Sequence, residues 1–208
     1  MSGRSVQVSG RRQFDADAAL DQAMRVFWQR GYAEASLEAL VSATGLGRGS
    51  LYGAFGNKDA LFRRCLDRYT ALYGAQFEQA LAAHPGDPAR AVEAFFDTVL
   101  ARIADPSVPG GCLIAQSAAQ APTLGEENSA KVNALLDLQR RRVRTALEDS
   151  SADAATLDAL AAYVVAVNQS LAVLSRAGAS DAELRSVAGL ACATVADRLA
   201  RTTPASQS

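Results

Sequence analysis

Ser36-Leu37-Glu38-Ala39-Leu40-Val41-Ser42-Ala43-Thr44-Gly45-Leu46-Gly47-Arg48-Gly49-Ser50-Leu51-Tyr52-Gly53-Ala54-Phe55-Gly56-Asn57-Lys58-Asp59-Ala60-Leu61-Phe62 is the stretch that decides the fold. Ser36 suits a helix N-cap, because its hydroxyl can accept an unpaired amide hydrogen of the first turn. Leu37, Leu40 and Val41 follow at helical spacing and give one apolar face. Gly45 stops that helix, since glycine accepts the left-handed backbone such a turn needs. Leu46 is placed to plug the space between this helix and a second one, which starts at Gly47 and turns Leu51 and Phe55 inward. Helix, glycine turn and short helix together make a helix-turn-helix, a unit that presents its second helix to the major groove of DNA.

The outward set on the second helix has the chemistry of a DNA reader. Arg48 can fork onto the acceptors of a guanine or pair with a phosphate. Ser50 and Tyr52 can donate to phosphate oxygens, as can Ser36 at the preceding cap. Gly53 completes the outward face, and Lys58 adds a cation just past it. A helix over Asp15–Arg30 precedes the motif, with Leu20, Ala23, Met24 and Phe27 on one stripe; Gly31 ends it and Tyr32 follows.

The order is helix, Gly-Tyr, Ser-capped helix, Gly turn, Leu51-Tyr52-x-x-Phe55-x-x-Lys58 and then Leu61-Phe62. From Phe14 to Tyr69 this resembles the DNA-binding domain of the tetracycline-repressor-like (TetR) family. The resemblance implies an all-helical dimeric repressor of double-stranded operator DNA, with a small-molecule effector pocket in the larger C-terminal domain. It also implies that the helix after Lys58 transmits the ligand signal, and that the last two helices form a four-helix interface with their mates. There are departures: many members carry Ser at the place of Gly47, an aromatic at Gly53 and His at Ala54. Gly49 and Gly53 each cost about 1 kcal/mol of helix propensity relative to Ala, so the reading helix is expected to be soft when free.

Composition agrees with an all-α protein. Of 208 residues, 49% are hydrophobic, alternating β-branched runs are absent, and prolines cluster at a few breaks. Up to Arg64 there are nine basic and six acidic residues, a net +3 against −4 for the remainder. A positive head on an acidic body suits a DNA contact at one end. The expected organisation is an arm over residues 1–12, a helix-turn-helix domain over 13–62, an effector and dimerisation domain over 63–202, and a tail over 203–208. In the arm, Arg11 and Arg12 are either groove or phosphate contacts or a solvated tail.

Beyond the head, a helix over Lys58–Ala83 is followed by the breaker His84-Pro85-Gly86-Asp87-Pro88. Further helices are expected over 88–104, 112–121, 125–149, 153–177 and 181–201. His84, the only histidine, reads as a loop residue, and Arg140, Arg141, Arg142 and Arg144 as a solvated face. Phe77, Phe95, Phe96 and Tyr163 are core residues that can also line an effector cavity, with Gln116 and Asn168 as polar contacts and Cys112 beside them. The segment Gly110-Gly111-Cys112-Leu113-Ile114 resembles a version found in some TetR regulators, in which a Cys near this place senses oxidants or electrophiles. Cys112 falls at a helix start, where amide dipoles favour the thiolate; the plain alternative is a buried structural Cys.

Several classes are excluded or left without support. There is no phosphate loop, metal-ligand cluster or nucleophile elbow, so neither enzyme activity nor a cofactor or metal is expected. No apolar run reads as a membrane span and no signal peptide is visible. With three scattered cysteines, this suits a reducing cytoplasm. The alternative function is a helical interaction module without DNA binding.

Overall fold

The computed structural model describes the backbone of residues 9–202 and the side chains of residues 16–201. Among the described residues every regular element is helical: α1 (Ser9–Glu34), α2 (Leu37–Thr44), α3 (Arg48–Phe55), α4 (Lys58–Tyr69), α5 (Ala75–Ala82), α6 (Pro88–Ala104), α7 (Leu113–Ala119), α8 (Glu126–Leu147), α9 (Ala154–Arg176) and α10 (Asp181–Thr202). The helix α1 starts at Ser9, inside the stretch expected to be an arm, and it runs through Gly31, whose φ of 79° kinks it. The side chains of Arg11 and Arg12 lie outside the described residues.

The local signals work as sequence chemistry requires. The Ala39 amide donates to Ser36 Oγ at 3.2 Å and caps α2. Gly45, at φ 67°, ends it. Asn57 Oδ1 accepts the Ala60 amide at 2.9 Å and starts α4. Asp87, followed by Pro88 in the first turn, starts α6. The expected long helix after Lys58 is not uniform. Between α4 and α5 the chain makes a π-helical turn, Thr70–Gly74, so one wide turn interrupts the α-helical hydrogen bonding.

Two apolar clusters hold the molecule. The first joins Phe27, Trp28, Leu40, Leu51, Phe62 and Tyr69 of α1–α4 with Cys112, Leu113, Leu124, Val132 and Leu135 of the α7–α8 region. The second packs Phe77, Val92, Phe96, Val99, Leu160, Val164, Ala188 and Val195 from α5, α6, α9 and α10. The head therefore rests on the body through apolar contact. Along α9 an 18-residue window has a mean hydropathy of 1.6, long and apolar enough to cross a membrane by length and composition, contrary to the expectation that no run would pass. Its buried residues serve the fold instead: Leu157, Leu160, Ala161, Val164 and Leu171 pack inward. On the outer face Tyr163, Val173 and Leu174, together with Leu190 of α10, remain exposed.

Candidate nucleic-acid interface and internal cavity

The helix α3 is held by its buried residues Leu51 and Phe55. That anchoring turns Arg48, Ser50 and Gly53 to solvent, with Tyr52 half-buried at the edge of the core. Ser36, at the start of α2, is exposed as well. A Cβ added at Gly47, Gly49 or Gly53 would meet nothing within 4 Å. Packing among the described residues thus gives no reason for glycine there, and the first-turn amides of Gly47 and Gly49 are left open to a ligand that comes close, whereas the Gly53 amide is spent inside the helix. Lys58 does not stand free: its ammonium lies 4.6 Å from the centre of the Tyr32 ring. Burial, the larger influence, pulls its pKa down against the opposing pull of Asp59.

Tyr32 and Asp59 tie the kinked end of α1 to the first turn of α4. The Tyr32 hydroxyl donates to Asp59 Oδ1 at 2.5 Å. Burial and then the Asp59 carboxylate push the tyrosine pKa up to about 12. The same hydrogen bond, first among the causes, holds the Asp59 carboxyl below its usual range. A raised tyrosine pKa stabilises the fold below its ordinary value of about 10 and loses that contribution as pH climbs through the folded value. A lowered carboxyl pKa stabilises above about 4 and loses it as pH falls through the folded value. The melting temperature is therefore expected to drop at both extremes. Tyr32→Phe should flatten both limbs in thermal melts across that pH range. Equal pH slopes in the variant and the wild type would show that this pair is not responsible.

A narrow cavity opens between the π turn, α6, α7 and α8. Its enclosed room is about 30 Å³, space for about one water, inside a wider hollow that is partly open to solvent. Of the residues proposed from sequence, Phe77, Phe95 and Cys112 line it, with Tyr69, Thr70, Leu135, Gln139 and Arg142. The others lie elsewhere. Phe96, one residue and about 100° around the helix from Phe95, borders a cleft beside Cys192 on α10. Gln116 accepts from Arg176 at 2.9 Å. Tyr163 is exposed, and Asn168 is buried away from the cavity lining.

Arg142 is not part of a solvated face. It donates to the Gly74 carbonyl at 3.3 Å and pairs with Glu78 at 2.8 Å, bracing the π turn at the cavity wall. A stripe on α8, Leu135, Leu138, Gln139 and Arg142, carried this position in the sequence, but the basic run around it masked the signal. Arg144 likewise pairs across helices with Asp158. Cys112 is buried and its sulfur accepts from the Tyr69 hydroxyl at 3.3 Å. Arg102 of α6, buried over Trp28, donates to the Gly111 carbonyl and fixes the turn that delivers Cys112. Burial raises the pKa of both other thiols, that of Cys192 to about 11, so neither is poised as a thiolate.

Residues 19–65, which span most of α1 through most of α4, match the family described as bacterial regulatory proteins, tetR family. The HTH-type transcriptional repressor ComR of Escherichia coli (strain K12) is 32% identical over 184 residues, 85% of this chain and 86% of that one. A TetR family transcriptional regulator, CifR, solved with two cysteines replaced and complexed with 26-bp double-strand operator DNA, is 31% identical with a TM-score of 0.77, over 85% of this chain and 95% of that one. A second CifR variant on the same length of operator DNA is 28% identical with a TM-score of 0.77, over 93% of this chain and 98% of that one. With the helix-turn-helix in place and identity of this order running through nearly the whole chain, the protein belongs to the TetR family of DNA-binding transcriptional regulators.

Proposed function

We propose that this regulator is a repressor which grips double-stranded operator DNA as a homodimer and lets go when its cavity is occupied by a small molecule or its Cys112 is modified by an electrophile or oxidant. The observation that carries the DNA contact is the exposed face of α3, where Arg48, Ser50 and the edge of Tyr52 project beside bare glycine backbone. Ser36, Gly47, Gly53 and Lys58 complete the proposed contact set, and the head over 13–62 sits on an effector body over 63–202. Being named a repressor in one relative and solved on operator DNA in another favours repression. No cofactor is needed for such a cycle, and a cytoplasmic setting follows from the DNA it reads.

Dimerisation is supported by the outer face of α9 and α10. Val173 and Leu190, 58% and 67% exposed, stand there among alanines and glycine, and nothing among the described residues covers them. Apolar exposure of this kind marks an association surface, and two heads are what a two-fold operator requires. For release, the effector must prefer the state that cannot bind DNA. The π turn continues α4, and Tyr69, Thr70 and Gly74 all line the cavity, so a ligand pressing there acts directly on the helix that carries the head.

The test is a mobility shift of the purified protein on its own upstream intergenic DNA across a salt series, with sedimentation to count the chains. A specific complex of two chains is expected, with log K falling by about 0.9 per phosphate contact for each unit of log salt. No complex at low salt, even with randomised duplex libraries, would leave a helical interaction module as the better reading.

A further inference from the structure

Two side-chain amides of the body grip one tyrosine–aspartate pair of the head. The first is Gln120, at the corner between α7 and α8. Its Oε1 accepts the Tyr32 amide at 3.0 Å. It lies where a side chain on Gly31 would have to go: a Cβ there would come within 2.2 Å of Gln120 Nε2. The second is Asn128, in the first turn of α8 and 1% exposed. Asn128 Nδ2 donates to Asp59 Oδ1 at 2.6 Å, the oxygen that also accepts the Tyr32 hydroxyl. Asn128 Oδ1 accepts from Arg63 Nη1 at 3.0 Å. Arg63 reaches back to Glu127 at 2.9 Å. Both halves of the buried amide are thus spent on one face of α4, on residues four apart.

The apolar contact beneath this network is non-directional and would tolerate sliding. The hydrogen bonds are not, because each one broken without replacement leaves a buried polar group unpaired. The same two body helices also wall the cavity. Cys112 and Ile114 stand at the start of α7, and Leu135, Leu138, Gln139 and Arg142 lie further along α8. At 1.5 Å per residue, Asn128 and Leu135 are only about 10 Å apart on one rigid rod. On the head side, the Tyr32 ring carries Lys58, three residues beyond the end of α3.

We infer that Asn128, assisted by Gln120, is a positioning residue: its bond to Asp59 sets the angle of the DNA-binding head on the body and passes the state of the cavity to α3. The DNA output of this latch rests on the operator reading above; the latch itself does not.

The experiment uses the full chain and an exchange of partners. N128D sets a second carboxylate against Asp59 and removes the donor. Combining D59N with N128D rebuilds the network in reverse, because the amide nitrogen now in the place of Asp59 Oδ1 donates one hydrogen to the carboxylate on residue 128 and the other to the Tyr32 hydroxyl, which turns from donor to acceptor, while Arg63 keeps an acceptor. Two readouts are taken on the wild type and both variants. One is hydrogen exchange of the amides at 31–35 and 57–63 against those of α9 and α10. The other is affinity for a duplex selected by the wild type from a randomised library.

N128D is expected to speed exchange in the two head segments by about tenfold with α9 and α10 unchanged. It should weaken the duplex by about tenfold, and the double variant should recover most of both losses. Recovery by the exchange separates a specific bond from a general loss of stability, which a second substitution would only deepen. Unchanged exchange in N128D, or a double variant no better than N128D, overturns the latch. A wild type that selects no duplex while the exchange pattern behaves as stated overturns the operator reading and leaves the latch standing.

Discussion

Phe62→Ala is expected to cost about 3–5 kcal/mol of folding stability, the range for removing a fully buried aromatic ring from a core that cannot collapse around the loss. Phe62 has no exposed surface. Its ring sits 5.1 Å from both Phe27 and Tyr32, in edge-on arrangements with each. It therefore braces α4 against α1 and supports the tyrosine that carries Lys58 and contacts Asp59. Because the head shares its apolar cluster with Leu113, Leu124 and Val132 of the body, the damage should not stay in the helix-turn-helix. One cooperative unfolding transition, shifted as a whole, is expected in urea titrations followed by circular dichroism. A smaller truncation, Phe62→Leu, keeps part of the buried volume and should cost less. An early partial transition in Phe62→Ala, with the body's transition unmoved, would show instead that the head unfolds on its own and that the shared cluster couples the two parts only weakly.

The head was legible because its signals are local. Ser36, Gly45 and Asn57 each act within four residues of themselves, and Leu51 and Phe55 orient α3 by spacing alone. The closing helices α9 and α10 were legible for the same reason, since their apolar stripes repeat over many turns. What stayed hidden depends on partners far away in the chain. Asn128 meets Asp59 across 69 positions, and nothing in the residues around Asn128 distinguishes a buried amide from one of the many polar residues of a solvated face. Arg142 reaches Gly74 across 68 positions, so a run of arginines looked uniform although one of them braces a cavity wall. Adjacent aromatics show the limit in another form: Phe95 and Phe96 are equivalent in sequence, and only the packing of α6 between the cavity and α10 sends one to each side. The π turn at Thr70–Gly74 carries only one mark, Gly74, a poor helix former, which does not by itself separate a wide turn from an ordinary helix.

Arg48→Ala should leave stability within about 0.5 kcal/mol of the wild type, the usual outcome for an exposed position away from caps and cores, and should nevertheless be the most damaging single change at the DNA. Among the described residues Arg48 makes no hydrogen bond or ion pair within the chain. It is the first residue of α3, and the N-cap before it, Gly47, offers no side chain. Among the described residues no hydrogen bond or ion pair fixes this cation, and only the charge of Glu38 on α2 acts on it through space, so at the end of the proposed reading helix it is free to meet a base or a phosphate. The neighbouring glycines concentrate the burden on it, because Gly49 and Gly53 can contribute backbone contacts only.

Binding of a family of operator duplexes, each changed at one base pair, separates the two roles of this side chain. If Arg48 reads a guanine, the loss is about 1–3 kcal/mol per half-site, and the wild type's preference at one base pair of each half-site disappears while other positions keep theirs. The expected result is this one, with the salt slope close to that of the wild type. If Arg48 only holds phosphate, every duplex weakens alike and the slope of log K against log salt becomes shallower by about 0.9 per head. Lys58→Ala supplies the internal standard, since a cation lodged over the Tyr32 ring at 4.6 Å can act on the backbone of the duplex but is tethered away from the base edges. The two substitutions should therefore differ in kind: one erases a base preference at nearly constant salt slope, and the other lowers the slope at constant preference.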